Sequence, residues 1–166
     1  VEVFAADEQS AEPVDAMAMV RLAKDVLAAQ GVKADSELSM LFLDEVAMAE
    51  LNRRFLGKEG ATDVLAFPMD DDDVVEGGRS PDPLGPGTGP DPDQSEAPKL
   101  LGDVVVCPAV AARNAADHAG TYDDEMALLV VHGILHILGM DHVDSEEAEA
   151  MEQRERELLE RFHEKR

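Results

Sequence analysis

The chain predicts a mixed α/β domain: a single sheet of about four strands packed with about five helices. Three observations lead there. Apolar runs of strand length alternate with segments of helical period. Capping and stop residues fall at the joins between them. One segment, residues 123–138, is apolar nearly all round, so its helix must be buried in the core. A length of 166 residues fits one domain with an ordinary core, residues 1–166.

The elements follow in order. Residues 1–5 alternate weakly and read as an edge strand. Residues 13–30 carry Met17, Val20, Leu22, Ala23, Val26 and Leu27 at helical spacing, and Gly31 stops the helix. Residues 36–43 read as a strand. Asp44 caps a helix that runs to about Leu56, where Gly57 ends it. Residues 63–67 form a short strand closed by Pro68. Residues 100–107 are strongly apolar and read as a central strand. Pro108 suits the first turn of the helix that follows, to about Ala119. After the buried helix, residues 144–162 form a last helix rich in Glu and Arg.

Residues 70–98 differ in kind. They hold six Pro, five Gly, nine acidic residues and one Arg, a net −8. Such a segment cannot bury enough apolar surface to order itself, so it reads as an acidic insertion between two strands.

The formal net charge is −23, from 37 acidic and 14 basic residues. That balance excludes a general polyanion binder, and any nucleic-acid contact must use a local basic patch. The single Cys107 excludes an internal disulfide framework and suits a reducing compartment. It reads as a small buried strand residue rather than a ligand. The first residues, Val-Glu-Val-Phe, lack the basic start of a secretory leader. The longest apolar stretch, residues 126–140, is too short to span a bilayer and contains two histidines. The expectation is a cytoplasmic protein with no membrane partner.

Three of the five histidines lie within eleven residues, His132-Gly-Ile-Leu-His136-Ile-Leu-Gly-Met-Asp-His142. Positions four apart share a helix face, so His132 and His136 point the same way. Gly139 allows the chain to turn back and bring His142 to the same point. Three imidazoles with a fourth position open to water form a catalytic zinc arrangement, one Zn2+ per chain. Metzincin proteases share this spacing but place a Glu, the general base, directly after the first His. Here that position is Gly133. Without the carboxylate a peptidase mechanism lacks its base, which points to another substrate.

The run resembles the H-G-x-L-H-x-x-G-x-D-H signature of the YbeY family, bacterial zinc-dependent endoribonucleases of ribosomal RNA maturation. Residues 51–68 are similar to that family's L-N-x-x-(Y/F)-R-G-K-x-x-x-T-D-V-L-S-F-P block, and residues 101–108 to its L-G-D-I-x-I-x-P strand. The resemblance implies hydrolysis of single-stranded RNA, with 16S rRNA 3′ end maturation and ribosome quality control as the setting. It implies the small ribosomal subunit as a partner, with the GTPase Era as a further candidate. It makes His132, His136 and His142 the metal ligands, with His132, His136 and Asp141 as the catalytic group. Asp141, beside the last ligand in sequence, reads first as a carboxylate that orients a ligand from behind or faces solvent, and second as a general base. Leu56 stands where the family usually has Arg, which shifts phosphate contact to Arg53, Arg54 and Lys58, with Arg113 next. Asp63 and Asp103 are each a cap, a turn residue or a carboxylate behind the site. His118 and His163 read as solvent-facing. Two other readings stand beside the nuclease: a metal hydrolase of another substrate such as peptide, which Gly133 argues against, and a non-catalytic ribosome-assembly factor with structural zinc, which the open fourth position argues against.

Overall fold

Four strands and five helices make up the described residues of the chain, which are 1–69, 99–118, 120–140 and 144–163 of a computed structural model. The order is β1 (Glu2–Asp7), α1 (Ala16–Ala29), β2 (Ser36–Phe42), α2 (Glu45–Leu56), β3 (Val64–Pro68), β4 (Lys99–Val106), α3 (Pro108–Asp117), α4 (Tyr122–Ile137) and α5 (Ser145–Phe162). The expected elements are therefore all present, with no end moved by more than three residues. The expected insertion 70–98 lies outside the described residues, as do Asp141 and His142.

The strands form one sheet in the order β1-β2-β4-β3. β1, β2 and β4 run parallel, and β3 lies antiparallel to β4 at the far edge. β1 is thus an edge strand and β4 a central one, as the sequence predicts. Strand alternation sends successive side chains to opposite faces. Leu38, Met40, Phe42, Val104 and Val106 face a core completed by α1, α4 and α5. Leu43, Leu65, Val105 and Cys107 face a smaller core closed by Met48 of α2 and Val110 of α3.

Local signals set the helix ends. Asp44 Oδ1 accepts from Ala47 N–H at 2.8 Å, and Gly57 ends α2 at φ +68°. Thr121 and Asp124 form a reciprocal capping box at the start of α4. Asp123, Asp124 and Glu125 occupy its first turn, where carboxylates complement the helix dipole.

α4 is pressed hard against the sheet. A Cβ on Gly133 would lie 2.7 Å from Val104 Cγ1 and 3.4 Å from Val64 Cγ2. Gly102, at φ +141°, makes the matching allowance lower down, where a Cβ would meet Phe67 O at 2.4 Å and Ile137 Cδ1 at 2.9 Å. Gly102 follows a bulge in β4: Glu37 pairs with Leu100 and Leu38 with Gly102, leaving Leu101 as the extra residue.

Two outcomes are expected. Gly133→Ala gains about 1 kcal/mol of helix propensity but forces a methyl onto the stiff Val104 side chain, at about 1–3 kcal/mol. Net destabilisation should appear in chemical denaturation, and the sign should reverse when Gly133→Ala is made in a Val104→Ala background. Met69 N–H donates to Leu101 O at 2.9 Å, so residues 70–98 leave and rejoin the chain at neighbouring strands. Replacing them with a short Gly/Ser linker should leave the melting temperature within a few degrees.

Candidate metal centre

The site begins with how α4 is covered. From Glu125 to Ile137 every residue is buried except Leu128, His132 and His136. Those three are spaced by four, so they form one stripe along the helix. The sheet, α1, α3 and α5 cover the rest of α4. The two histidines therefore stand where the core opens. Their rings meet edge to face, with centroids 4.6 Å apart and planes at 76°.

Gly133 also explains the missing carboxylate. Its position faces Val104 and Val64 at contact distance, so any side chain there must push against the sheet. A glutamate, the metzincin base, would have to displace the sheet.

Nδ1 of His132 is in hydrogen-bond contact with Glu155 Oε2 of α5. The Glu155 side chain is 9% exposed and that of His132 28%. Neutral imidazole with one nitrogen held by a carboxylate presents its other nitrogen as a donor to metal. Two imidazoles on one open stripe, that of His132 held in this way, suit zinc by the chemistry of the donor set. Among the described residues no group of three or more His, Cys, Asp or Glu side chains converges as a metal site. The expected third ligand, His142, and the neighbouring Asp141 lie outside those residues.

Glu155 escaped the sequence reading because α5 holds seven glutamates. The signal was present: Met151, Glu155 and Leu158 fall at i, i+4 and i+7, a carboxylate on an apolar stripe.

The other histidines are paired. His118 is more than half exposed, as expected, and its Nδ1 lies 2.9 Å from Oε1 of the buried Glu125. That hydrogen bond and the carboxylate charge raise the His118 pKa above the ordinary imidazole value. The expectation of a solvent-facing His163 is corrected. Its side chain is 14% exposed, with Nε2 2.9 Å from Asp124 Oδ1. The end of α5 packs Phe162 against the core, which turns His163 onto the first turn of α4. Cys107 is fully buried, and burial raises its thiol pKa.

The expected basic residues are divided. Arg53 pairs with Glu50 at 2.6 Å on the same helix, and Arg113 with Glu45 at 2.5 Å between α3 and α2. The Arg54 guanidinium lies over the Phe55 ring at 5.5 Å. Lys58 is exposed just beyond Gly57. α2 packs on the sheet face opposite α4. Its last turn reaches the β3 edge, where Phe55 meets Phe67 edge to face at 5.4 Å. The two groups thus flank β3 from opposite faces, because α4 lies over Val64 of the same strand.

Asp63 is a joint. Asn114 Nδ2 donates to its Oδ2 at 3.2 Å, and its backbone O accepts from Cys107 N–H at 2.9 Å. Asp103 alternates with Val104 and so faces away from α4.

A family model described as endoribonuclease YbeY matches residues 4–163. A relative from Mycolicibacterium vanbaalenii, named endoribonuclease YbeY, is 43% identical over 144 residues, covering 87% of this chain and 71% of that one. One of the same name from Salinispora tropica is 43% identical, covering 86% of this chain and 85% of its own. A third, from Thermobifida fusca, is 42% identical over 151 residues, covering 91% and 88%. A solution structure from Thermotoga maritima shares the fold at TM-score 0.56 and 22% identity, covering 96% of this chain and 91% of that one. A match across nearly the whole chain, with relatives above 40% identity, places this protein in the endoribonuclease YbeY family.

Proposed function

We propose that the chain is a zinc-dependent endoribonuclease that hydrolyses phosphodiester bonds in single-stranded RNA. The setting proposed is ribosomal RNA processing, with the 16S rRNA 3′ end on the small subunit as substrate and Era as a candidate partner. The observation that carries the reading is the stripe of His132 and His136 on the buried α4, with a sheet contact at Gly133 that disfavours a carboxylate there. Family membership supplies the reaction class.

His132 and His136, with His142, would hold the ion. When bound, zinc would supply a Lewis acid and lower the pKa of its water to about 7. The remaining work belongs to the chain. The apolar body of α4 holds the two imidazoles rigidly, because Ile134 and Leu135 between them are fully buried. Asp141 is the carboxylate proposed to orient a ligand or move the proton beside the third histidine. Arg53, Arg54 and Lys58 would meet the phosphates, since backbone phosphates position RNA through Arg and Lys. Because they and the histidines flank β3, the strand of RNA would cross that edge. No helix among the described residues is long and apolar enough to cross a membrane.

Removing one ligand tests the reading. His136→Ala should lose most of its zinc by elemental analysis and its cleavage of single-stranded RNA; a variant that keeps both contradicts the site. The basic patch has its own test. Arg53→Glu/Arg54→Glu should lower cleavage at least tenfold, about 1.4 kcal/mol in the barrier, with zinc content unchanged. Leu56→Arg should raise cleavage. If the double variant cleaves like its parent, the phosphate contact lies elsewhere and Arg113, now paired with Glu45, is next.

A further inference from the structure

The buried carboxylate of α5 is the group that neither the packing of the core nor the histidine motif requires. Of the seven glutamates on that helix, Glu146, Glu147, Glu149, Glu152, Glu157 and Glu160 are exposed, and only Glu155 is buried. Its neighbours along the same stripe, Met151 and Leu158, are fully buried apolar side chains. A carboxylate in such surroundings is costly unless a partner compensates it. Arg154, the adjacent cation, does not turn to it: its Nε donates to Gln30 Oε1 at 2.6 Å and its Nη1 to Glu157 at 3.0 Å. The compensating contact shown is to Nδ1 of His132.

We propose that Glu155 is a positioning residue for the metal centre, accepting the Nδ1–H of His132 so that the ring's lone pair is held on Nε2. The inference rests on the metal reading above. Its chemistry is that of a ligand held from behind. A neutral imidazole carries its proton on one nitrogen, and an acceptor at Nδ1 selects the tautomer that donates to metal through Nε2. The contact also fixes the ring's rotation, which the flexible His χ2 torsion leaves broad. The negative charge also offsets part of the charge of a divalent ion. The last helix thereby becomes part of the site, although it carries none of the expected ligands.

The test uses the full chain as parent, Glu155→Gln and Glu155→Leu. Gln keeps an oxygen that accepts from Nδ1–H but removes the charge. Leu keeps the packing and removes the acceptor. Long-range proton–nitrogen NMR of the metal-free proteins at roughly pH 8, above the ordinary imidazole value of about 6.5, reads the His132 tautomer. Competition with a chromophoric chelator reads zinc affinity. His132 should be protonated at Nδ1 in the parent and in Glu155→Gln, and should lose that preference in Glu155→Leu. Zinc affinity should fall about 10–100-fold in Glu155→Leu and by less in Glu155→Gln. A parent His132 protonated at Nε2 overturns the proposal. So does Glu155→Leu with parental affinity, or Glu155→Gln binding no better than Glu155→Leu. If Glu155→Leu does not fold, parental affinity in Glu155→Gln together with a mixed tautomer in the parent rejects the proposal, and the opposite pair supports it. A parent that takes up no zinc sinks the metal reading itself, and is recognised as such because the tautomer is read without metal.

Discussion

The close approach of α4 to β4 is the constraint on which the rest of the molecule depends. It is made possible by a missing side chain at Gly133, where Val104 occupies the space a Cβ would take. Pressing the helix into the sheet buries it on every side but one, and the remaining stripe carries the histidines. The same contact disfavours the carboxylate that would make the motif a peptidase. One steric fact thus aims the two histidines. Packing has the energy to impose this: each fully buried Leu, Ile or Val is worth about 1.5–3 kcal/mol. The exposed pairs Arg53–Glu50 and Arg113–Glu45 are screened by solvent and contribute little beside it.

A chain with 37 acidic residues must place carboxylates where they do least harm, and the histidines share that work. His118 holds Glu125, His132 holds Glu155 and His163 holds Asp124. Two of these acids sit in the first turn of α4, where the helix dipole also favours them. The third reaches a candidate metal ligand. Histidine thus partners acids at the start of this helix, and about two turns further along a histidine with an acid partner is also a candidate metal donor. What separates the uses is surroundings, since His118 is mostly exposed while His132 stands at a gap in the core.

The division of the basic residues follows from topology. α2 and α4 both border β3 but from opposite sides, and the exposed Phe55 marks where α2 reaches the strand's edge. Residues of one sequence block, Arg54 of α2 and Val64 of β3 for instance, therefore end on different layers. A substrate that touches the cations and the histidines must be long and flexible enough to bend over one strand, which suits single-stranded RNA.

Much of this was legible in one dimension because it depends on neighbours a few residues apart. Helical period, the Asp44 cap, the Gly57 stop and the spacing of His132 and His136 are local properties, and a local property survives any global arrangement. Family membership was legible for a related reason: its motifs are short runs whose spacing is itself the signal. Sheet order, the opposite placement of α2 and α4, the contact from Glu155 and the burial of His163 were not. Each joins residues far apart in the chain; Glu155 lies 23 residues from His132 and His163 lies 39 from Asp124. Which glutamate on α5 turns inward depends on how that helix docks, and docking is chosen by the summed burial of the whole core rather than by any segment of the chain.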